Sequence, residues 1–118
     1  MAIFRMYTGP DGKSHWEEQT LAEHPTLTKP QASAHIVFSE QPAGKFLDWH
    51  PAPRRQYVVT LSGESEIELD GGRKIRLGPG HILLAEDTTG QGHISRAVGS
   101  EDRISLFITL ADGAKPPR

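Results

Sequence analysis

The chain has 118 residues and a formal net charge of −2, with 12 glycines, 9 prolines and no cysteine. That length suits one domain, 1–118, and the missing cysteines exclude disulfides, thiolate metal sites and a cysteine nucleophile. The charges are mixed along the chain without a basic patch, and no apolar run approaches the roughly 18 residues of a membrane span, so neither nucleic acid nor membrane is an expected partner.

Met1 to Gly12 lack a basic stretch followed by a long apolar one, so no signal peptide is expected and a cytoplasmic location is. Ile3 to Tyr7 suits an edge strand and His15 to Thr20 a second, whereas Leu21 to Gln31, with two prolines, reads as loop. From Ala34 onward strand signals are dense. Ala34 to Ser39 is short and carries β-branched and aromatic residues, and Lys45 to His50 follows a Pro-Ala-Gly turn. Pro51 and Pro53 then mark a sheet edge or bend. Gln56 to Leu61 is the strongest strand, and Ser62-Gly63 reads as a turn.

Glu64 to Leu69 alternates, with Glu64, Glu66 and Glu68 on a solvated face and Ser65, Ile67 and Leu69 opposite. Asp70-Gly71-Gly72 predicts a hairpin that returns through Arg73 to Leu77, setting basic residues across from the glutamates. After the turn at Gly78-Pro79-Gly80, His81 to Ala85 is a buried strand and Glu86 to Gly92 a polar loop. His93 to Val98 and Arg103 to Leu110 are the last strands, and Ala111 to Arg118 reads as a frayed tail. Roughly eight to ten short strands joined by tight turns predict an all-β sandwich or barrel.

Residues 44–98 resemble the cupin superfamily, a double-stranded β-helix or jelly-roll barrel. Its first motif, G-x5-H-x-H-x3/4-E-x6-G, aligns with Gly44, His50, Ala52, Gln56 and Gly63, so alanine stands at the second histidine and glutamine at the glutamate. Its second motif, G-x5-P-x-G-x2-H-x3-N, aligns with Gly80, Glu86 at the proline, His93 after a loop two residues longer, and Ala97 at the asparagine. Asp-Trp-His-Pro-Ala-Pro at 48–53 and Ala-Glu-Asp-Thr-Thr-Gly at 85–90 are similar to a subset of small bacterial cupins, in which an acidic residue is common where His81 stands here.

The resemblance implies a barrel pocket and a divalent metal held by three histidines and one carboxylate. It carries over His50, Gln56 and His93 as the metal ligands, with iron, manganese, nickel or zinc as the fitting ions. Two imidazoles and a neutral amide make a weak site for a dication. Glu86 or Asp87 could restore an anionic ligand from the long loop, or serve there as a general acid or base; the alternative is that they cap turn N–H groups. Alternation puts Asp48, His50 and Ala52 on one face, and Asp48 could supply that ligand only if the strand twists or bulges there. Without metal, His50 and His93 are hydrogen-bonded pocket histidines and Gln56 a lining amide.

Arg54 and Arg55 suit a substrate carboxylate, although alternation lets only one face the barrel; a solvated or salt-bridged edge is the other reading. Tyr57 is a candidate substrate contact, although it and Trp49 are residue types more often used for core or barrel packing. His15, His24 and His35 are expected at the surface. The expected function is binding of a small polar or acidic organic molecule in the barrel, with metal-assisted oxidation or isomerisation if catalytic; the alternative is a metal-free binding or regulatory module. Cupins span too many activities for the fold to select one. A homodimer is expected, and the row Ile104, Leu106, Ile108 and Leu110 suits a dimer face or a core equally.

Overall fold

The computed structural model describes residues 3–111. Ten strands and one 3-10 turn make up these residues: β1 Ile3–Thr8, β2 Ser14–Gln19, the turn Pro25–Thr28, β3 Ser33–Gln41, β4 Phe46–His50, β5 Gln56–Ser62, β6 Glu64–Glu68, β7 Lys74–Leu77, β8 Ile82–Glu86, β9 His93–Val98 and β10 Arg103–Leu110. Among the described residues no helix is long and apolar enough to cross a membrane. All ten predicted strands form, with ends shifted by one or two residues, and the loop at 21–31 contains only the short 3-10 turn.

The strands build two facing sheets, β2-β1-β8-β5-β10-β3 and β4-β9-β6-β7. Every pairing is antiparallel except β1 with β8, which run parallel from Ile3 beside Ile82 to Tyr7 beside Glu86. The chain passes from the larger sheet to the smaller at Gly63. There φ is +71°, and a Cβ would lie 2.6 Å from the Asp102 carbonyl oxygen, so only glycine allows this crossing beside the start of β10.

The β6–β7 hairpin has the predicted register: Glu66 opposes Arg76, Glu68 opposes Lys74 and Ile67 opposes Ile75. Its outer face is an ion-pair lattice rather than loose charge. Arg96 of β9 reaches Glu66 at 3.1 Å and Glu68 at 2.8 Å, and Arg76 adds a 3.6 Å contact to Glu66. The inner face contributes Ile67 and, just beyond the strand, Leu69 to a core with Met6, Ala52, Val58, Leu77, Leu83 and Ala85.

The larger sheet inverts the usual polarity on β10 and β5. Arg103, Ser105 and Thr109 are buried on the inner side, as are Gln56 and Thr60 of β5, which lie opposite Thr109 and Ser105. Ile104, Leu106 and Ile108 lie on the outer side, half-buried. Beside them on the edge strand β3, Ile36 is 63% exposed and Phe38 71%. The apolar row of β10 is therefore not barrel core; only Leu110, past a register shift at Thr109, is fully buried.

Candidate functional site

Between the inner faces lies a cavity of about 260 Å³. Val58, Ile67, Leu77, Leu83 and Phe107 form much of its apolar wall; His50, Gln56, Ser65, His93 and Arg103 are among its polar groups, with Gln41, Ser95 and Arg96 also on the lining. Its size and its few polar groups on an apolar lining suit a small organic molecule.

His50 and His93 are register partners across β4 and β9, with ring centroids 4.5 Å apart. A β-bulge makes this possible. Leu47 pairs with Ser95 and His50 with His93, so β4 carries one residue more than β9 between these pairs. The extra residue breaks alternation and lets both Leu47 and His50 line the cavity. Asp48 does not share the face of His50, contrary to the alternation reading; it is exposed, and its Oδ1 accepts the Trp49 N–H at 2.8 Å. Trp49 is itself 38% exposed.

The backbone carbonyl of Asp48 lies 2.6 Å from His50 Nδ1. A carbonyl only accepts, so Nδ1 donates, and in the neutral ring Nε2 keeps its lone pair. His93, 6% exposed, has the same arrangement: Nδ1 lies 2.7 Å from Asp87 Oδ2 and donates to it. The same oxygen accepts the Ser14 hydroxyl at 2.6 Å, so β2 reaches into the support of His93. Both Nε2 atoms lack a hydrogen-bond partner among the described residues. The loop before His93 is held tightly against β4. At Gly92, φ is +77° and a Cβ would lie 2.0 Å from the His50 carbonyl oxygen.

Asp87 is fully buried behind His93, so it orients that ring and does not face the cavity as a catalytic group would. Its backbone carbonyl also accepts the N–H of Ala52, the cavity-lining residue at the second histidine position. Glu86 lies elsewhere. It ends β8 on the outer face, where Arg5 Nε donates to it at 2.5 Å and Arg55 Nε donates to its other oxygen. Glu86, Arg55 and Tyr57 thus line not the barrel cavity but an outer groove of about 450 Å³ beneath residues 24–31, where the Tyr57 hydroxyl donates to Gln31 at 2.7 Å. Arg54 is exposed and lines neither. Alternation explains this placement: Gln56 faces in, so Arg55 and Tyr57 face out.

The cupin metal set is not complete. Gln56 Oε1 is buried with no hydrogen-bond partner and lines the cavity with the two histidines, which gives two imidazoles and one neutral oxygen. Asp87 Oδ2 is taken by His93 and Ser14, and Glu86 is on the far face. No group of three or more His, Asp or Glu side chains that could hold a metal ion occurs among the described residues. This donor set does not fit the three-histidine, one-carboxylate centre.

Arg103 is the polar group that motif reading missed. It is 6% exposed, lines the cavity, and makes one hydrogen bond, 3.3 Å to Thr60 Oγ1. Its Nε is buried without a partner, no carboxylate pairs with it among the described residues, and burial lowers its pKa. The remaining histidines serve the surface and turns. His81 Nδ1 accepts the Gly78 N–H at 2.8 Å, His15 pairs with Asp11, the His24 ring meets the Thr20 carbonyl at 3.2 Å, and His35 is exposed.

No protein-family profile matches the chain, and no curated protein does. Solved structures do. An uncharacterised conserved protein with a double-stranded β-helix domain from Klebsiella pneumoniae superposes with a TM-score of 0.52 at 24% identity, over 66% of this chain and 66% of that one. DMSP lyase DddQ from Ruegeria pomeroyi gives 0.53 at 25% identity, over 65% of this chain and 38% of the lyase. The Cnp3 cupin domain of Schizosaccharomyces pombe gives 0.51 at 13% identity, over 93% and 83%. The chain spans just under two thirds of the length of the first of these proteins and well under half of the lyase.

Proposed function

For this chain, which has the fold of a small cupin, we propose the function of a small-molecule-binding protein whose ligand lies in the barrel cavity against His50 and His93. The observation that carries the reading is the paired tautomers. Each Nδ1–H is engaged by a fixed acceptor, which leaves two neighbouring Nε2 lone pairs without protein partners at the wall of a cavity. Such a pair accepts hydrogen bonds from a ligand hydroxyl, amide or acid proton, and orientation by a buried carboxylate makes the His93 acceptor directional.

The metal-free form of this reading is favoured over a metal-dependent oxidoreductase or isomerase, because glutamine and alanine occupy two of the four positions of the donor set. One observation supports the metal-dependent alternative: each histidine has its Nδ1–H backed by a carbonyl or carboxylate, as metal-ligating histidines do. The likeness to a lyase keeps a base-catalysed elimination in view, with an imidazole as base, as an activity to assay.

The test is a fragment screen by two-dimensional NMR on tag-free protein, with elemental analysis of the same sample. Ligands should perturb Ser65, His93 and Phe107, and His93→Ala and His50→Ala should each weaken binding about tenfold, the worth of a buried hydrogen bond. Ligands that perturb only the outer groove, or that bind both variants as tightly as wild type, would sink the reading. Near-stoichiometric metal that disappears in both variants would replace it with the metal-dependent one.

We also propose that the protein is a homodimer through the outer face of β3, β10 and β5. Polar residues buried inward, with Ile36 and Phe38 exposed and Leu106 and Ile108 half-buried on the outer side, are what a sheet whose outer face is covered by a partner would show. The face belongs to an edge strand with its own apolar side chains, so a second copy supplies a matching surface about a two-fold axis.

A further inference from the structure

Arg103 opens β10 on the inner side of the larger sheet, anchored where Gly63 lets β6 pass against the Asp102–Arg103 backbone. A guanidinium taken out of water normally carries a carboxylate partner, because desolvating an isolated charge is costly. Here no partner exists among the described residues. One donor reaches a neutral hydroxyl and Nε reaches nothing. The cation is not at the histidine end of the cavity. It sits beside Thr60, while Gln56, which lies with the histidines, is four residues earlier on β5, a separation of roughly 13 Å. Between the two ends the wall is Val58, Leu83, Phe107 and Ile67. Ser65 also lines the cavity, and its Oγ, like Gln56 Oε1 and Arg103 Nε, is buried without a partner among the described residues.

We propose that Arg103 is the anion anchor of the cavity and that the ligand is a small monocarboxylic acid, its carboxylate on the Arg103 guanidinium and its apolar body directed toward His50 and His93. This rests on the reading that the cavity holds a ligand, and adds its charge class and orientation. A planar carboxylate accepts in parallel from Nε and a neighbouring guanidinium nitrogen. Arg96 also lines the cavity, but its guanidinium is held by Glu66 and Glu68. The one buried cation without a carboxylate among the described residues therefore balances a single negative charge, and a phosphate monoester would bring a second charge with no free cation to meet it. The unpaired Nε is the structural cost of the free protein, and ligand binding removes it.

The experiment is an NMR titration with three probes, pentanoate, pentan-1-ol and inorganic phosphate, on wild type, Arg103→Met and Arg103→Lys. Pentanoate should perturb the Arg103, Ser65 and Phe107 signals and bind at least about tenfold more tightly than the alcohol. Arg103→Met should remove that preference, and Arg103→Lys should restore part of it. The methionine variant should fold and melt no lower than wild type, since an apolar side chain replaces an unpaired buried charge. A methionine variant that melts well below wild type would assign Arg103 a structural role and overturn the proposal. Equal binding of acid and alcohol in the cavity would overturn it while leaving the cavity-ligand reading intact. Phosphate binding as tightly as pentanoate would overturn the monocarboxylate class. No perturbation of cavity signals by pentanoate or pentan-1-ol would count against both.

Discussion

Asp87 shows how a residue of the predicted chemical type can serve a different role. Its single oxygen Oδ2 holds both the Ser14 hydroxyl and the His93 ring, while Oδ1 is buried without a partner. Asp87→Ala should therefore strand two buried donors and cost about 2–4 kcal/mol in urea unfolding. Ligand affinity should fall with it, as His93 loses its fixed tautomer; a loss of stability under about 1 kcal/mol would mean that solvent satisfies these donors. His50 and His93 were legible in the sequence because motif spacing places histidines independently of side-chain contacts. Arg103 was not, because no motif contains it and an arginine at a strand start looks like a solvated end. Its one sequence signal is that it shares a face with Ser105 and Thr109 rather than with the leucines and isoleucines.

The strands themselves were readable from period-two patterns and glycine turns, and the β6–β7 hairpin was readable down to its register. Alternation failed where strands bulge. At β4 the bulge reverses the faces of Asp48 and His50, and nothing in Phe46-Leu47-Asp48-Trp49-His50 announces an extra residue. The face of β10 was equally hidden, because hydrophobic patterning says that two faces differ without saying which one meets the barrel. The loop ahead of β9 fixes the bulged strand through the close approach of Gly92. Gly92→Ala combines a positive φ with a Cβ placed inside contact distance of the His50 carbonyl. The variant should lose about 2 kcal/mol or more in thermal or urea unfolding. It should also shift the His50 side-chain resonances; a variant with wild-type stability and unchanged His50 signals would show that β4 yields freely there.

At the scale of the molecule, β5 and β10 of the larger sheet turn most of their polar side chains inward, around Val58 and Phe107, and carry apolar ones outward beside Ile36 and Phe38 of β3. Phe38→Glu places a charge at the most exposed point of that apolar face without touching the cavity. The expected outcome in sedimentation velocity is a dimer for wild type and a monomer for the variant, with a melting temperature that rises with protein concentration for wild type and not for the variant. A wild type that sediments as a monomer at all concentrations would remove the dimer. The same inversion explains why the sequence left dimer face and core as equal readings of Ile104, Leu106 and Ile108.

The parallel ladder between β1 and β8 also sets a schedule. Ile3 lies beside Ile82, so β1, which has β2 at hand on one side, meets its parallel neighbour on the other only after 79 further residues. At ribosomal rates that is a wait of roughly 4–16 s. The β1–β2 hairpin can close early, but Ser14 on β2 meets Asp87 only after β8 exists. The support of His93 therefore joins β2 to a residue 73 positions later, just past the end of β8. In refolding followed from several probes, protection of the β1 amides and the final environment of His93 should arrive together, as the slowest event, because loop closure of this length precedes both.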